Sequence, residues 1–251
     1  MQPGSTGRSA AGTRDGGTRP SSGAPVFGDE LEALHRRVDA DRRENVYVVG
    51  DVHGCIEELR DLLARLDPGE DDLVLFVGDL VRKGPDGPAV LELVRSSPNM
   101  LSVRGNNEQK FVDGEEPAER LGDAIEYVES MPAAVSFGDS LVVHAGVDPR
   151  RALPEHALTD LLETWAIPPE NGYDGPFWFE RHEGPPRVFF GHTVLSEPFA
   201  SPWAVGLDTG CVHGGQLTAY DCMAEAFVAV PAEETYEERD GDTIVDPYGD
   251  R

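Results

Sequence analysis

The chain has 251 residues, 39% of them hydrophobic, which is enough for one sizeable core or two small domains. No apolar run approaches the ~20 residues that a membrane-spanning helix needs, so neither a membrane nor a membrane anchor is expected. Against 47 acidic residues stand 21 basic ones, for a net charge of −26, and a surface of that sign excludes general binding to a nucleic-acid backbone.

Residues 1–28, MQPGSTGRSAAGTRDGGTRPSSGAPVFG, are rich in Gly, Ser, Thr and Pro and hold almost no large apolar side chain. Such a segment buries too little to offset its ordering entropy, and a disordered lead is expected. It has no apolar h-region, so no signal peptide is expected. From Asp29 the pattern changes, and Leu31, Leu34 and Val38 share one face of an expected short helix. The domain is expected to run from 29 to 231. Beyond it, AEETYEERDGDTIVDPYGDR holds eight acids in its twenty residues, the composition of a solvated tail over 232–251.

Between these ends five apolar runs break at similar punctuation. VYVVG (46–50) runs into DVHG, LVLFVG (73–78) into DLVRKGP, and MLSVRG (100–105) into NNE, while SLVVHAG and RVFFGHT deliver His144 and His192. Short β-branched runs bounded by Gly and Asp read as buried strands. The helical patterns IEELRDLLARL (56–66) and PAVLELVRSS (88–97) lie between the first three, so the opening is β-α-β-α-β with parallel strands. In such sheets ligands gather beyond the carboxyl ends of the strands. Five strand ends thus bring Asp51, His53, Asp79, Asn106, His144 and His192 to one edge.

Taken singly, an Asp or Asn after a strand is an Asx-turn or a helix N-cap, and a His there is a hydrogen-bonded structural residue. Six converging donors are a different matter. They suffice for two divalent cations with a carboxylate such as Asp79 between them, and carboxylate, imidazole and amide oxygen suit Mn, Fe or Zn better than a soft metal. Three cysteines, Cys55, Cys211 and Cys222, cannot all pair and show no C-x-x-C spacing. A reduced, cytoplasmic setting is the expectation. Lysine occurs only at Lys83 and Lys110; with the acid excess, this arginine bias reads either as adaptation to a saline cytoplasm, where charge repulsion is screened, or as codon usage.

GDVHG, GDLVRKGP, RGNNE, HAG, GHT and GLDTGCVHGGQLTAYD, six motifs over roughly 45–222, resemble the calcineurin-like metallophosphoesterases, in particular the branch of serine/threonine protein phosphatases and symmetrical diadenosine tetraphosphatases. The resemblance implies a four-layer α/β/β/α sandwich of two mixed sheets and two metal ions, with Mn the expected metal and Fe or Zn the alternatives. One ion would take Asp51, His53 and Asp79; the other would take Asp79, Asn106, His144 and His192, with Asp79 bridging for an attacking metal-bound hydroxide. It further implies a phosphorylated nucleotide or a phosphoprotein as substrate.

Two positions depart from the family pattern. Asn107 stands where the family usually has a general-acid His, and Arg82 where protein phosphatases have the Asp that orients it. An amide can orient a phosphate oxygen but yields no proton. Lys83 stands where the family tends to have a phosphate-contacting Arg, and Arg181 in FWFERHEG is either a second phosphate clamp or a surface ion pair. The favoured function is hydrolysis of a dinucleoside polyphosphate, whose nucleotide leaving group needs no proton. The alternatives are a serine/threonine phosphoprotein phosphatase and a non-catalytic metal- and phosphate-binding regulator.

Overall fold

The computed structural model describes residues 24–249. Among them twelve strands occur: β1 (His35–Arg37), β2 (Val46–Val49), β3 (Leu73–Phe76), β4 (Met100–Ser102), β5 (Ala134–Phe137), β6 (Ser140–Val143), β7 (Arg187–Phe190), β8 (Phe199–Ala200), β9 (Ala204–Gly206), β10 (Asp208–Thr209), β11 (Gln216–Asp221) and β12 (Ala226–Pro231). The α-helices are α1 (Asp29–Glu32), α2 (Ile56–Leu66), α3 (Gly87–Ser96), α4 (Asn106–Val112), α5 (Ile125–Ser130) and α6 (Leu158–Glu163).

The strands form two mixed six-stranded sheets, one ordered β1-β5-β6-β7-β9-β8 and the other β10-β11-β2-β3-β4, with β12 paired to β11. In the second sheet β2, β3 and β4 run parallel, as the β-α-β-α-β reading requires. Side-chain alternation assigns the layers. Val46 and Val48 of β2 and Leu73 and Leu75 of β3 meet Val142 of β6 and Phe189 of β7 between the sheets. Tyr47 and Val49, with Val74 and Phe76, instead face Leu59 and Leu62 of α2 and Val90 and Leu91 of α3. On the far side of the other sheet, Leu141, Val143, Val188 and Phe190 pack under Leu161, Phe177, Trp178 and Phe179. A period of two along each strand therefore separates an inter-sheet core from two outer cores, giving the expected sandwich. Among the described residues no helix is long and apolar enough to cross a membrane.

Three expectations need correcting. The helix read from Leu31, Leu34 and Val38 stops at Glu32, and His35–Arg37 pairs in parallel with Ala134–Ser136. Leu31 and Val38 consequently enter different cores. An available strand edge has overridden a short helical pattern. Of the expected lead, residues 1–23 lie outside the described residues, but Phe27 is buried and packs edge-on to His35 at 5.1 Å. The acidic segment after 231 does not run free either. Val245 is buried, Leu195 and Val245 form a bridge, as do His213 and Thr235, and Glu237 O accepts from His213 Nδ1 at 2.7 Å. Its few apolar side chains, rather than its many acids, decide where it lies.

Candidate metal centre and substrate cavity

The six predicted donors do meet where the two sheets share an edge. β2 leads to Asp51 and His53, β3 to Asp79, and β4 through Gly105 to Asn106 at the first turn of α4; β6 and β7 of the other sheet lead to His144 and His192. His53, Asp79 and His192 hold φ of 50°, 51° and 64°. For residues other than glycine this left-handed backbone is costly and clusters at functional sites. Two glycines make room, since a Cβ at Gly191 would collide with Asp51 Oδ1 and one at Gly105 with Asp79 Oδ1.

Asp79 is the centre of the cluster. Its Oδ2 lies 3.6 Å from His53 Nε2 and its Oδ1 3.6 Å from His144 Nε2, so one carboxylate faces both halves of the donor set. His53 Nε2 is 3.9 Å from Asp51 Oδ2, and His144 Nε2 is 3.1 Å from Asn106 Oδ1. The Nδ1–H of His144 donates to Val77 O at 2.9 Å and that of His53 to Val81 O at 3.3 Å, which turns both Nε2 lone pairs toward the cluster. The His192 backbone N–H donates to both oxygens of Asp51 at 3.2 Å.

Electrostatics point the same way. Burial, then the charges of Asp208 and Asp79, push the Asp51 carboxyl well above its ordinary value. Burial takes His53 down to about 4 and, with His144 beside it, His192 down to about 3, so both rings are neutral at physiological pH with a lone pair to give. Burial alone would raise Asp79, but His144, His53 and the Asn107 N–H outweigh it and hold the carboxyl at about 2. The carboxylates of Asp51 and Asp79 beside the neutral rings of His53 and His192 offer lone pairs to added cationic charge. Ligand atoms of Asp51, Asp79 and His144 lie within 4.8 Å of one another, and this set of hard oxygens and imidazoles fits divalent cations of the Mn, Fe or Zn type.

Glu108 was not legible as a site residue. Fully buried, it accepts from the backbone N–H groups of Asp79 (2.8 Å), Gly105 (2.9 Å) and Val81 (3.1 Å). It thereby ties the loop carrying Asp79 to the start of α4, and burial together with Asp79 pushes its carboxyl up to about 8.

Asn107 is buried between the cluster and Arg82. Its Nδ2 donates to Asp79 Oδ2 and to Asn106 Oδ1, and its Oδ1 accepts from Arg82 Nη1. Arg82 also pairs with Glu116 Oε1 at 3.0 Å. Neighbours at both ends fix the amide orientation, because the reverse would set its oxygen against a carboxylate. Lys83 Nζ lies 3.2 Å from His53 Nε2.

A cavity of about 500 Å³ opens from this cluster. Its lining adds Lys110, Arg120, Trp165, Tyr173 and Arg239 to Arg82 and Lys83. Both lysines of the chain are therefore here, and five cations gather in a protein of net charge −26. Trp165 and Tyr173 form an edge-to-face pair at 4.6 Å, and the Tyr173 hydroxyl accepts from Arg239 Nη2 at 3.0 Å. Arg239 comes from the acidic segment that sequence alone read as solvated. Arg181 is the one predicted site residue that does not join. Trp178 and Phe179 are buried, with Trp178 Nε1 donating to Ala145 O at 3.0 Å, so the chain leaves the core at Arg181. That residue is exposed and lines separate depressions with Asp148 and His182, and with Asp174 and Glu180.

This geometry can be compared with known proteins. Residues 44–199 match the family model of the calcineurin-like phosphoesterases. The asymmetrical bis(5'-nucleosyl)-tetraphosphatase PrpE of Oceanobacillus iheyensis is 26% identical over 240 residues, covering 75% of this chain and 93% of that protein. Serine/threonine-protein phosphatase 1 of Salmonella typhimurium is 30% identical over 209 residues, covering 74% and 96%. A crystal structure of a protein assigned, without proof of activity, as a diadenosine tetraphosphatase superposes with a TM-score of 0.70 at 28% identity, covering 79% and 97%. With the two-sheet fold, the strand-end donors and a family match over more than half its length, the chain belongs to the calcineurin-like phosphoesterases and is a hydrolase of that family.

Proposed function

We propose that this protein hydrolyses a phosphoanhydride bond of a dinucleoside polyphosphate at a dinuclear metal centre held by Asp51, His53, Asp79, Asn106, His144 and His192. The family implies two divalent ions, which would supply an activated water and neutralise charge on the phosphoryl group under attack. The chain's own residues do the rest. Asp79 presents an oxygen to each half of the centre. Lys83 stands at the mouth of the cluster, placed to turn to a phosphate oxygen as a point charge. Asn107 lines the cavity and fixes the facing oxygens of Asp79 and Asn106 through its amide N–H groups, and Lys110, Arg120 and Arg239 line the path outward. The Trp165–Tyr173 wall suits a nucleobase, which stacks on aromatic faces for ~1–3 kcal/mol per base.

The observation that carries this reading is the link Arg82–Asn107–Asp79. An amide cannot release a proton and a guanidinium stays charged, so this side of the site favours a group that leaves as a stable anion. A nucleotide phosphate, with a second pKa near ~6, is such a group. A serine alkoxide is far more basic, and losing a positioned acid costs on the order of 10²–10⁴ in rate. Likeness to the Salmonella phosphatase supports phosphoprotein hydrolysis as the second reading. A panel with Mn comparing diadenosine tetraphosphate, a phosphoserine peptide and an aryl phosphate tests both: the dinucleotide is expected to turn over fastest, and faster turnover of the peptide would reverse the order.

A further inference from the structure

A second cluster of donor atoms lies apart from the catalytic one. Cys55 caps the start of α2, Glu58 sits in that helix's first turn, and Cys211 belongs to the turn between β10 and β11. Their ligand atoms lie within 4.8 Å of one another, and the residues are 0%, 1% and 2% exposed, respectively. The surroundings are apolar, with Val52, Leu59, Val212 and Leu217 in the same core. Glu58 is the anomaly. Its Oε1 accepts from the Glu233 backbone N–H at 3.0 Å and the Tyr236 hydroxyl at 3.1 Å, whereas its Oε2 is buried without a hydrogen-bond partner among the described residues. An unsatisfied carboxylate oxygen in an apolar core is costly, and no step of the phosphoesterase reaction uses it.

We infer that Cys55, Cys211 and Glu58 form a second metal site that takes one zinc ion and fastens the C-terminal segment to the domain. Two thiolates select a softer ion than the carboxylate and imidazole cluster does, and so favour zinc over manganese. Zn–S bonds of ~2.3 Å and Zn–O bonds of ~2.0–2.2 Å need only a small inward movement of donors already this close. Three protein ligands leave the fourth position to water. Oε2 supplies the carboxylate bond, while Tyr236 and the Glu233 N–H orient the carboxylate from behind, as outer partners of metal ligands do. The same segment continues into Glu237 and Arg239, both on the wall of the substrate cavity. Zinc at this site would thus hold Arg239 in place from a position that touches no substrate.

The test uses the full-length protein stripped of metal and titrated with Co²⁺. Thiolate ligation gives a near-ultraviolet sulfur-to-cobalt charge-transfer band that carboxylate and imidazole sites lack. The expected result is such a band saturating at one ion per chain and displaced by Zn²⁺. It should be lost in Cys55→Ser and Cys211→Ser but kept in Cys222→Ser and in Asp79→Asn. Glu58→Gln should weaken zinc binding by ~10–100-fold. Wild-type protein without the band at saturating Co²⁺, or a band that survives both Cys→Ser changes, overturns the site. X-ray absorption at the zinc edge of the loaded wild type needs no variant: sulfur in the averaged zinc shell supports the site, and a shell of nitrogen and oxygen alone overturns it.

Discussion

Arg82 donates its guanidinium N–H to Asn107 Oδ1, which leaves the Asn107 amide N–H groups facing Asp79 and Asn106. At the two positions where the resemblance leads one to expect an acid orienting an imidazole, the polarity runs the other way: a cation orients an amide. If leaving groups depart here without a proton, the rate on a series of aryl phosphates should fall steeply as leaving-group pKa rises. Asn107→His with Arg82→Asp should flatten that dependence, by up to ~10²–10⁴ for the poorest leaving groups, and leave the anhydride rate nearly unchanged. Because Arg82 also pairs with Glu116, the exchange should be made with Glu116→Gln, so that the new carboxylate does not face another. A shallow dependence in the wild type would show that another donor supplies the proton.

Asp79 and Asn107 should separate metal binding from substrate handling. Asp79 faces both halves of the donor set, so Asp79→Asn should lower the content of both metals and reduce turnover by at least ~100-fold. Asn107→Ala removes an orienting amide but no proposed ligand, and should keep its metal. Metal analysis beside activity decides the matter, and equal metal loss in the two variants would remove the distinction.

Arg239 and its segment are expected to matter for both activity and stability. A chain ending at residue 231 would lose buried Val245, worth ~1.5–3 kcal/mol, and would strip Glu58 of both its partners at ~1–3 kcal/mol. A loss of about 3 kcal/mol corresponds to ~6–12 °C in Tm for a domain of this size. Arg239→Ala in the full chain should raise KM for a dinucleoside polyphosphate ~10-fold with little change in Tm. An unchanged KM would remove Arg239 from the substrate path.

The depressed histidines give a pH signature in the metal-free protein. A ring held below its ordinary value of 6.5 is neutral above the new value, so His53 (about 4) and His192 (about 3) should show neutral-ring nitrogen shifts by NMR at pH 6. Proton competition for the metals should then come from Asp51, whose carboxyl is raised. A midpoint near 6.5 for either ring would contradict the burial that sets these values.

Salt distinguishes the two readings of the acid excess. If the net charge of −26 is an adaptation to a saline interior, Tm should climb as KCl goes from dilute to molar, where the screening length falls to ~3 Å. A flat or falling curve assigns the arginine bias to codon usage.

The sequence alone made legible the five strands that carry the proposed donors, the parallel run of the first three, and the candidate donor set. Each of these is local: a β-branched run of period two, a Gly–Asp break at its end, and the rule that parallel strands offer their carboxyl ends to ligands. His53, Asp79 and His192 sit where their motifs put them because each is fixed by the strand immediately before it. Tertiary structure alone decided the rest of the cavity. Trp165, Tyr173 and Arg239 come from a loop and a C-terminal segment with no periodic pattern of their own, and their meeting depends on packing among residues far apart in the chain. Arg181 shows the converse, since the sequence left it either a phosphate clamp or a surface residue, and the packing of Trp178 and Phe179 in the core leaves it in solvent. The acidic segment is the same lesson in electrostatics. Its composition predicts solvation, yet one buried valine, the partners of Glu58 and a carbonyl held by His213 hold it against the domain, because burial and hydrogen bonding act on particular atoms while composition averages over all of them.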